Sequence, residues 1–125
     1  MVASEEARTS LSSHPTSASA ARRFVRSVLL EWALADDRVD SVLICTDELV
    51  TNAIVHVCSD IDVVVSRSAG RVRVEVHDRS TRPPLRRVEP VDADSGRGLR
   101  VVESLADRWG VSSDGPAGKA VWFEL

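Results

Sequence analysis

The stretch Asp47-Glu48-Leu49-Val50-Thr51-Asn52-Ala53-Ile54-Val55-His56 decides how the rest of the sequence is interpreted. Its apolar residues recur with the i, i+3, i+4, i+7 spacing of a helix that buries one face. Glu48, Asn52 and His56 follow one another at intervals of four residues, so this helix would align them in a row beside the apolar stripe. Asparagine is unfavourable inside a helix because its amide competes for backbone hydrogen bonds, so its presence needs a reason.

A row of one carboxylate, one amide and one imidazole has two interpretations. It is either the polar edge of a helix in water or part of a site. In a site, Glu48 could accept a proton. Asn52 could offer a neutral oxygen to Mg2+, which takes few protein ligands and keeps waters and substrate phosphates. The row alone leaves both interpretations open, and the remaining sequence has to decide between them.

Composition limits the classes of protein to which the chain can belong. Its 125 residues favour one domain, and 43% of them are hydrophobic, which is enough for a buried core. A formal net charge of -3 gives no support to general nucleic-acid binding. No apolar run approaches the roughly 20 residues of a membrane helix, and the first residues are too polar for a signal peptide. Cys45 and Cys58 resemble small core hydrophobes and lack the spacing of a zinc site, so a reducing cytoplasm is the expected compartment.

The beginning of the chain divides into a tail and a first helix. Residues 1–16 are rich in Ser, Thr, Ala and Glu, and we expect a mobile tail there, with at most a short strand near its end. Ser17 or Ser19 can cap a helix that runs to about Leu34. Residues 17–125 are then expected to form a single domain.

The later elements alternate between helices and pairs of strands. Along residues 71–77, valines alternate with charged residues, as in a strand with one buried face, and a short glycine-containing link makes it half of a hairpin. Antiparallel hairpins with helices on one face predict an α+β two-layer sandwich with a mixed, mostly antiparallel sheet. The predicted elements are a second helix capped by Asp36 or Asp40 and ending near residue 57, strands at Ile61–Arg67 and Arg71–His77, a helix at about 98–109 ended by Gly110, and strands at Val111–Ser113 and Lys119–Leu125.

Three separated segments could together supply one site. The first is the helical row, and the second is Asp78 at the exit of a strand, followed by Ser80. The third is Gly96-Arg97-Gly98-Leu99, which opens a helix after a long irregular segment. A glycine-rich turn at a helix start offers free backbone N–H groups to an anion. Each segment alone can be an ordinary turn, whereas all three in this order indicate a site.

The same segments resemble those of the histidine-kinase-like ATPases, also called the Bergerat-fold or GHKL superfamily. Residues 48–56 match its N box, Glu-x-x-x-Asn-Ala-x-x-His, and Asp78-Arg79-Ser80 is similar to the start of its first glycine box. Gly96-Arg97-Gly98-Leu99 matches the second box, Gly-x-Gly-Leu, and residues 118–123 are similar to its closing strand. The resemblance covers about residues 20–125 and is strongest to the small stand-alone anti-sigma factor serine kinases and related actinobacterial regulatory ATP-binding proteins.

This resemblance implies a role for each matching residue in an ATP site with Mg2+. Asn52 would bind the Mg2+ that bridges the ATP phosphates, and Asp78 would accept a hydrogen bond from the adenine amino group. Glu48 would be the catalytic base, acting on a substrate serine hydroxyl or on water. These roles suit phosphoryl transfer, which depends on positioning, charge neutralisation and an oriented nucleophile. The other residues expected to bind ATP are His56, Ser80, Gly96, Arg97, Gly98, Leu99 and Lys119.

The sequence departs from the family pattern at three places. Ser80 stands where many members have Gly, which predicts a stiffer adenine loop. Lys119 stands where many relatives have a Thr near the adenine, which puts that contact in question. The expected ATP lid, Leu85–Ser95, is short and lacks a run of glycines, which weakens a case for fast turnover more than a case for ATP binding.

Two functions are compatible with these residues. The first is an anti-sigma factor serine/threonine kinase that phosphorylates an anti-sigma-antagonist protein in a partner-switching circuit; the resemblance alone implies the sigma factor and the antagonist. The alternative is an ATP-dependent interaction module that sequesters a partner with little or no phosphotransfer. Glu48 favours the kinase, because a protein that only binds needs no base there. An unrelated α+β domain with chance matches is disfavoured by the joint occurrence of the motifs. Relatives often dimerise, so a homodimer is expected.

Overall fold

Five strands in one sheet and a layer of helices make up the described part of the chain, which is residues 5–54, 59–78, 100–113 and 118–125 of a computed structural model. In chain order the elements are β1 (Glu5–Leu11), α1 (Ser17–Glu31), α2 (Asp36–Asn52), β2 (Ile61–Ser68), β3 (Arg71–Asp78), a helical segment α3 at residues 100–105, β4 (Arg108–Ser113) and β5 (Lys119–Glu124). The strand order is β1-β2-β3-β5-β4, and every neighbouring pair is antiparallel. The predicted α+β fold is confirmed.

Buried valines alternate with polar and charged residues along β3, and this alternation decides which face of the sheet the helices cover. Val74 and Val76 are buried, whereas Arg73 and Glu75 beside them are partly exposed and form an ion pair. The valines belong to one core cluster with the buried residues of both helices. Paired residues on neighbouring strands share a face, so Phe123, opposite Val74, carries this buried face across to β5. The helices therefore cover the valine face, and the charged face points away from them.

Apolar stripes on α1 and α2 attach the helices to the sheet. α1 contacts β1 and β2, while α2 contacts β3 and β5. Val102 of α3 is fully buried in the same cluster. Burying one such side chain contributes about 1.5–3 kcal/mol, so each stripe holds its helix firmly. None of the described helices is long and apolar enough to cross a lipid bilayer. The buried apolar residues of the two longer helices are Ala21, Val25, Val28 and Leu29 in α1, and Val39, Val42, Leu43, Cys45, Leu49 and Val50 in α2.

The N-terminal residues differ from the expected mobile tail over residues 1–16. Residues 5–11 form β1, which pairs along its whole length with β2. Ala7 and Leu11 pack against the core, and Glu5 forms an ion pair with Arg67. The backbone groups of β2 gain partners in this way, which a strand at the sheet edge would otherwise lack.

None of the four predicted cap residues, Ser17 or Ser19 for α1 and Asp36 or Asp40 for α2, caps its helix, because Thr16 and Ala35 hold the two cap positions. Ser17 is the first residue of α1 rather than its cap, and its hydroxyl donates to the carbonyl oxygen of Ser12 at 2.7 Å. α2 begins at Asp36, with Ala35 in the cap position and no side-chain cap bond. Asp36 and Asp37 lie in the first turn, where a carboxylate is favoured by the helix dipole.

The end of α1 is earlier than the predicted Leu34. The helix stops at Glu31, and Ala33 adopts a left-handed conformation with φ of 57°. The N–H of Leu34 then donates to the carbonyl of Leu29, and that of Ala33 to Leu30, which is the pattern of a Schellman motif. An alanine fills the position usually taken by glycine, so the sequence held no glycine signal for this end.

The predicted third helix, at about 98–109, is too long at its C-terminal end. The helical residues end at 105, and β4 begins at Arg108. Trp109 pairs with Phe123, and Gly110 pairs with Trp122 instead of capping a helix. A Cβ on Gly110 would lie 2.8 Å from the Trp122 ring, so the glycine makes room for that ring. Pairing with β5 overrides the helical spacing of these residues.

Candidate functional site

The direction of α2 determines which residues can meet at one end of the sheet. Arg38 in its first turns donates to the carbonyl oxygens of Gly70 at 3.0 Å and Leu125 at 2.9 Å, so α2 starts beside the beginning of β3 and the end of β5. Its 17 residues span about 25 Å, and the eight residues of β3 span about 26 Å. Because α2 packs on β3 and β5, we infer that its other end, with Asn52, lies toward the sheet end where β3 stops at Asp78 and β5 starts at Lys119.

Glu48 and Asn52 lie on one side of α2, one turn apart. Both side chains are partly buried, so neither belongs to a fully solvated edge. α2 ends at Asn52, and residues 53 and 54 continue as a wider π-helical turn, which the sequence analysis did not predict. Such turns are rare and frequently lie at functional sites.

Asp78 is a buried carboxylate at the end of β3. It is only 6% exposed, and it continues the inward-pointing set of Val72, Val74 and Val76. In the sheet it lies between Ile61 of β2 and Lys119 of β5. Burying a carboxylate is costly unless polar groups compensate, so this position is not explained by packing alone.

Gly118 approaches Asp78 more closely than any other residue type could. Its φ of +118° is rarely adopted by residues with a side chain. A Cβ placed on it would lie 2.2 Å from the carbonyl oxygen of Asp78 and 3.3 Å from Oδ1 of its carboxylate. Sequence reasoning noted Gly118 only as part of a strand motif. No local signal in the sequence marks its approach to Asp78, because that contact depends on the pairing of β5 with β3.

Cys45 lies on the side of α2 that is buried in the core. Burial, and to a smaller extent the negative charge of Glu48, together raise the pKa of its thiol to about 11. Cys45 is therefore a neutral thiol packed in the core, as the sequence predicted. Glu48, about one turn further along α2, is partly buried.

Several predicted site residues lie outside the described residues. They are His56, Ser80, Gly96, Arg97, Gly98 and Leu99, together with the predicted lid at Leu85–Ser95. Within the described ranges, no group of three or more His, Cys, Asp or Glu side chains could hold a metal ion.

Comparison with known proteins bears on the family and the fold of this chain. Residues 11–125 match the family model described as the histidine kinase-like ATPase domain. No curated protein matches the chain significantly. A crystal structure of the RsbU and RsbW domains of Rv1364c from Mycobacterium tuberculosis superposes with a TM-score of 0.74 at 19% identity over 96% of this chain. This chain spans 31% of the length of that protein. The fold is thus shared with that structure, and the chain belongs to the histidine kinase-like ATPase domain family.

Proposed function

We propose that this chain is an ATP-binding regulatory protein, and that it acts as an anti-sigma factor serine/threonine kinase on an anti-sigma-antagonist protein. The observation that carries the proposal is the buried carboxylate of Asp78, at the end of the sheet toward which α2 brings Glu48 and Asn52. Membership of the ATPase family supports ATP as the ligand. The fold shared with a structure that contains an RsbW domain, together with the motif resemblance, supports the regulatory role.

Asp78 would select adenine. As a carboxylate it only accepts hydrogen bonds, and the exocyclic amino group of adenine is a donor. The corresponding group of guanine is an oxygen acceptor, which would face the carboxylate without a proton between them. Burial of Asp78 makes this discrimination sharper, because a mismatched polar group in a buried site has no water to compensate it.

Asn52 would hold Mg2+ beside the phosphates. Its amide oxygen is a hard, neutral ligand at the end of α2, and Mg2+ typically takes one or two protein ligands and completes its shell with waters and phosphate oxygens. When bound, Mg2+ would neutralise charge on the phosphates during transfer. A single amide suits this arrangement better than it suits a metal site built from protein alone.

Glu48 would accept the proton of the substrate serine. It lies one helical turn before Asn52, about 6 Å along the helix axis, so the two side chains are neighbours on one side of α2. A carboxylate near the nucleophile can orient the hydroxyl and take its proton as the bond to phosphorus forms. The partial burial of Glu48 limits competition from water.

The experiment that tests this function has two stages. Calorimetric titration of ATP with and without Mg2+ should show binding that strengthens with the metal. Incubation with labelled ATP and candidate antagonist proteins from the same genome should then transfer phosphate to a serine or threonine. ATP binding without transfer to any candidate would favour the interaction module. Failure to bind ATP at all would contradict both functions.

A further inference from the structure

The approach of Gly118 to Asp78 is a contact between two backbones. The three atoms nearest to a Cβ on Gly118 all belong to Asp78: the carbonyl oxygen at 2.2 Å, the carbonyl carbon at 3.2 Å and Oδ1 at 3.3 Å. Main-chain atoms in a paired strand cannot turn aside as the end of a flexible side chain can. A side chain at residue 118 would therefore have to displace either the start of β5 or Asp78 itself.

We propose that Gly118 is a positioning residue for the Asp78 carboxylate, and that its missing side chain fixes the preference for adenine. The inference rests on the proposed ATP binding and deepens it. Gly118 would act only through Asp78, because a Cβ on it would lie 3.3 Å from Oδ1, which is closer than ordinary van der Waals contact. Filling that space would move the carboxylate away from the position in which it can accept a hydrogen bond from the base.

The other described glycines show why this contact is specific. Gly70, in the link between β2 and β3, also has a positive φ, of +80°, but a Cβ there would have nothing within 4 Å. Gly70 therefore carries the same kind of backbone strain without the collision. It lies at the end of the sheet opposite Asp78, since β3 begins at Arg71 and ends at Asp78. Gly70→Ala is thus a matched control for Gly118→Ala.

The experiment compares ATP and GTP affinities for the wild type, Gly118→Ala and Gly70→Ala by calorimetry, with thermal unfolding of each variant. We expect Gly118→Ala to lose at least about tenfold in ATP affinity, the scale of a lost hydrogen bond to a charged group, with much less change for GTP. The ratio of the two affinities should fall toward one. Gly70→Ala should lower the unfolding temperature and keep the wild-type ratio.

Three results would overturn the inference. The first is a folded Gly118→Ala variant that keeps the wild-type ratio of ATP to GTP affinity. The second is an equal loss for ATP and GTP, which would indicate a general structural role. The third is a wild type that binds no ATP, which would also end the proposed function. A wild type that binds ATP selectively, beside a Gly118→Ala variant that does so equally well, contradicts the inference alone.

A measurement on the wild type covers the case in which Gly118→Ala fails to fold. Adenosine carries the base without phosphates, so its binding reports on the base site alone. In a heteronuclear NMR titration with adenosine, the backbone amide resonances of Gly118 and Asp78 should shift together, while that of Gly70 stays in place. A shift at Asp78 with none at Gly118 would contradict the coupling.

Discussion

Glu48 and Asn52 lie one turn apart on α2, and the roles proposed for them predict different failures. The metal proposed at Asn52 would contact the phosphates both before and during transfer, so Asn52→Ala should weaken Mg-ATP binding and transfer together. Glu48→Gln keeps the size of the side chain and removes the base. It should leave ATP affinity within about threefold and reduce transfer by ~10²–10⁴. Calorimetry and single-turnover phosphotransfer measure the two quantities separately.

The two substitutions also provide each other's control. If Glu48→Gln abolishes ATP binding, then Glu48 is a structural residue or a metal ligand and the assignment is wrong. If Asn52→Ala slows transfer but leaves the dependence of ATP binding on Mg2+ unchanged, then the metal is held elsewhere. Both variants should keep partner binding, because neither changes the fold of the helix surface.

Asp78 gives the sharpest prediction for a single residue. Asp78→Asn should weaken ATP binding by about 1.5–3 kcal/mol, the range for a hydrogen bond to a charged group, because the amide presents a donor beside the adenine amino group. GTP should bind poorly to the wild type. Asp107→Asn removes an exposed carboxylate beside Arg71, at the beginning of β3, and serves as the control. Equal wild-type affinities for ATP and GTP in calorimetry would refute adenine selection by Asp78.

Among the elements, the charged face of β3 makes stability depend on pH. Burial alone would raise the pKa of Glu75, but hydrogen bonds from Arg73 and His77, and their charges, more than offset it, so its pKa is below the ordinary value of 4.5. Arg73 also donates to Glu124 of β5 at 2.9 Å and stacks 4.0 Å from the centre of the Trp122 ring. The ionised form of Glu75 is therefore favoured in the folded state, where it joins two strands through Arg73.

The sign of this pH effect follows from linkage. A carboxyl whose pKa is lowered on folding contributes stability above its unfolded pKa, and the contribution is lost as the pH falls through the folded value. Urea unfolding between about pH 6 and about pH 3 should show that the free energy of unfolding falls more steeply with decreasing pH in the wild type than in Glu75→Gln. The two proteins should converge in free energy of unfolding at the acid end. If the free energy of unfolding changed with pH in the same way in both proteins, the ionised form of Glu75 would not be favoured by folding.

The elements that were predicted correctly are those in which the pattern of apolar and charged residues matches the burial of their side chains. The valines of β3 alternate with polar and charged residues because one face of the strand packs on the helices and the other is in contact with water. The two-residue period of the sequence therefore matches the strand that forms. β1 was missed as a full strand because its inward residues, Ala7, Thr9 and Leu11, include only one large apolar side chain. What orders β1 is the backbone of β2, which no local pattern reveals.

The prediction for the start of β4 was wrong for a related reason. Arg108 and Trp109 continue the helical spacing of the preceding residues, so local periodicity favours a longer helix. Their pairing with Glu124 and Phe123 decides otherwise, and it depends on residues far along the chain. The close approach of Gly118 to Asp78 was beyond prediction in the same way, because it joins β5 to β3 in three dimensions.

At the scale of the whole molecule, the two ends of the sheet are built differently. At the end where β3 begins, arginines join the helices to the strands: Arg38 bonds to Gly70 and Leu125, and Arg67 donates to the carbonyl of Trp32 at 3.1 Å and stacks on its ring. At the end where β3 stops, Gly118 packs directly against the buried carboxylate residue Asp78. We expect the first end to supply stability and the second to bind the ligand.

Arg38→Ala tests this division of the molecule. Losing two hydrogen bonds from a charged group, one of them exposed, should lower the free energy of unfolding by about 2–4 kcal/mol. ATP affinity of the folded fraction should stay within about twofold, because α2 is held along its length by its buried stripe and Asn52 lies at its other end. Arg26→Ala, which removes an exposed arginine of α1, is the control for the loss of one positive charge. Urea unfolding and calorimetry on the same samples measure both effects. A fall in ATP affinity with little loss of stability would show instead that the arginine end sets the position of α2 at the ligand, and that the two ends of the sheet are energetically coupled.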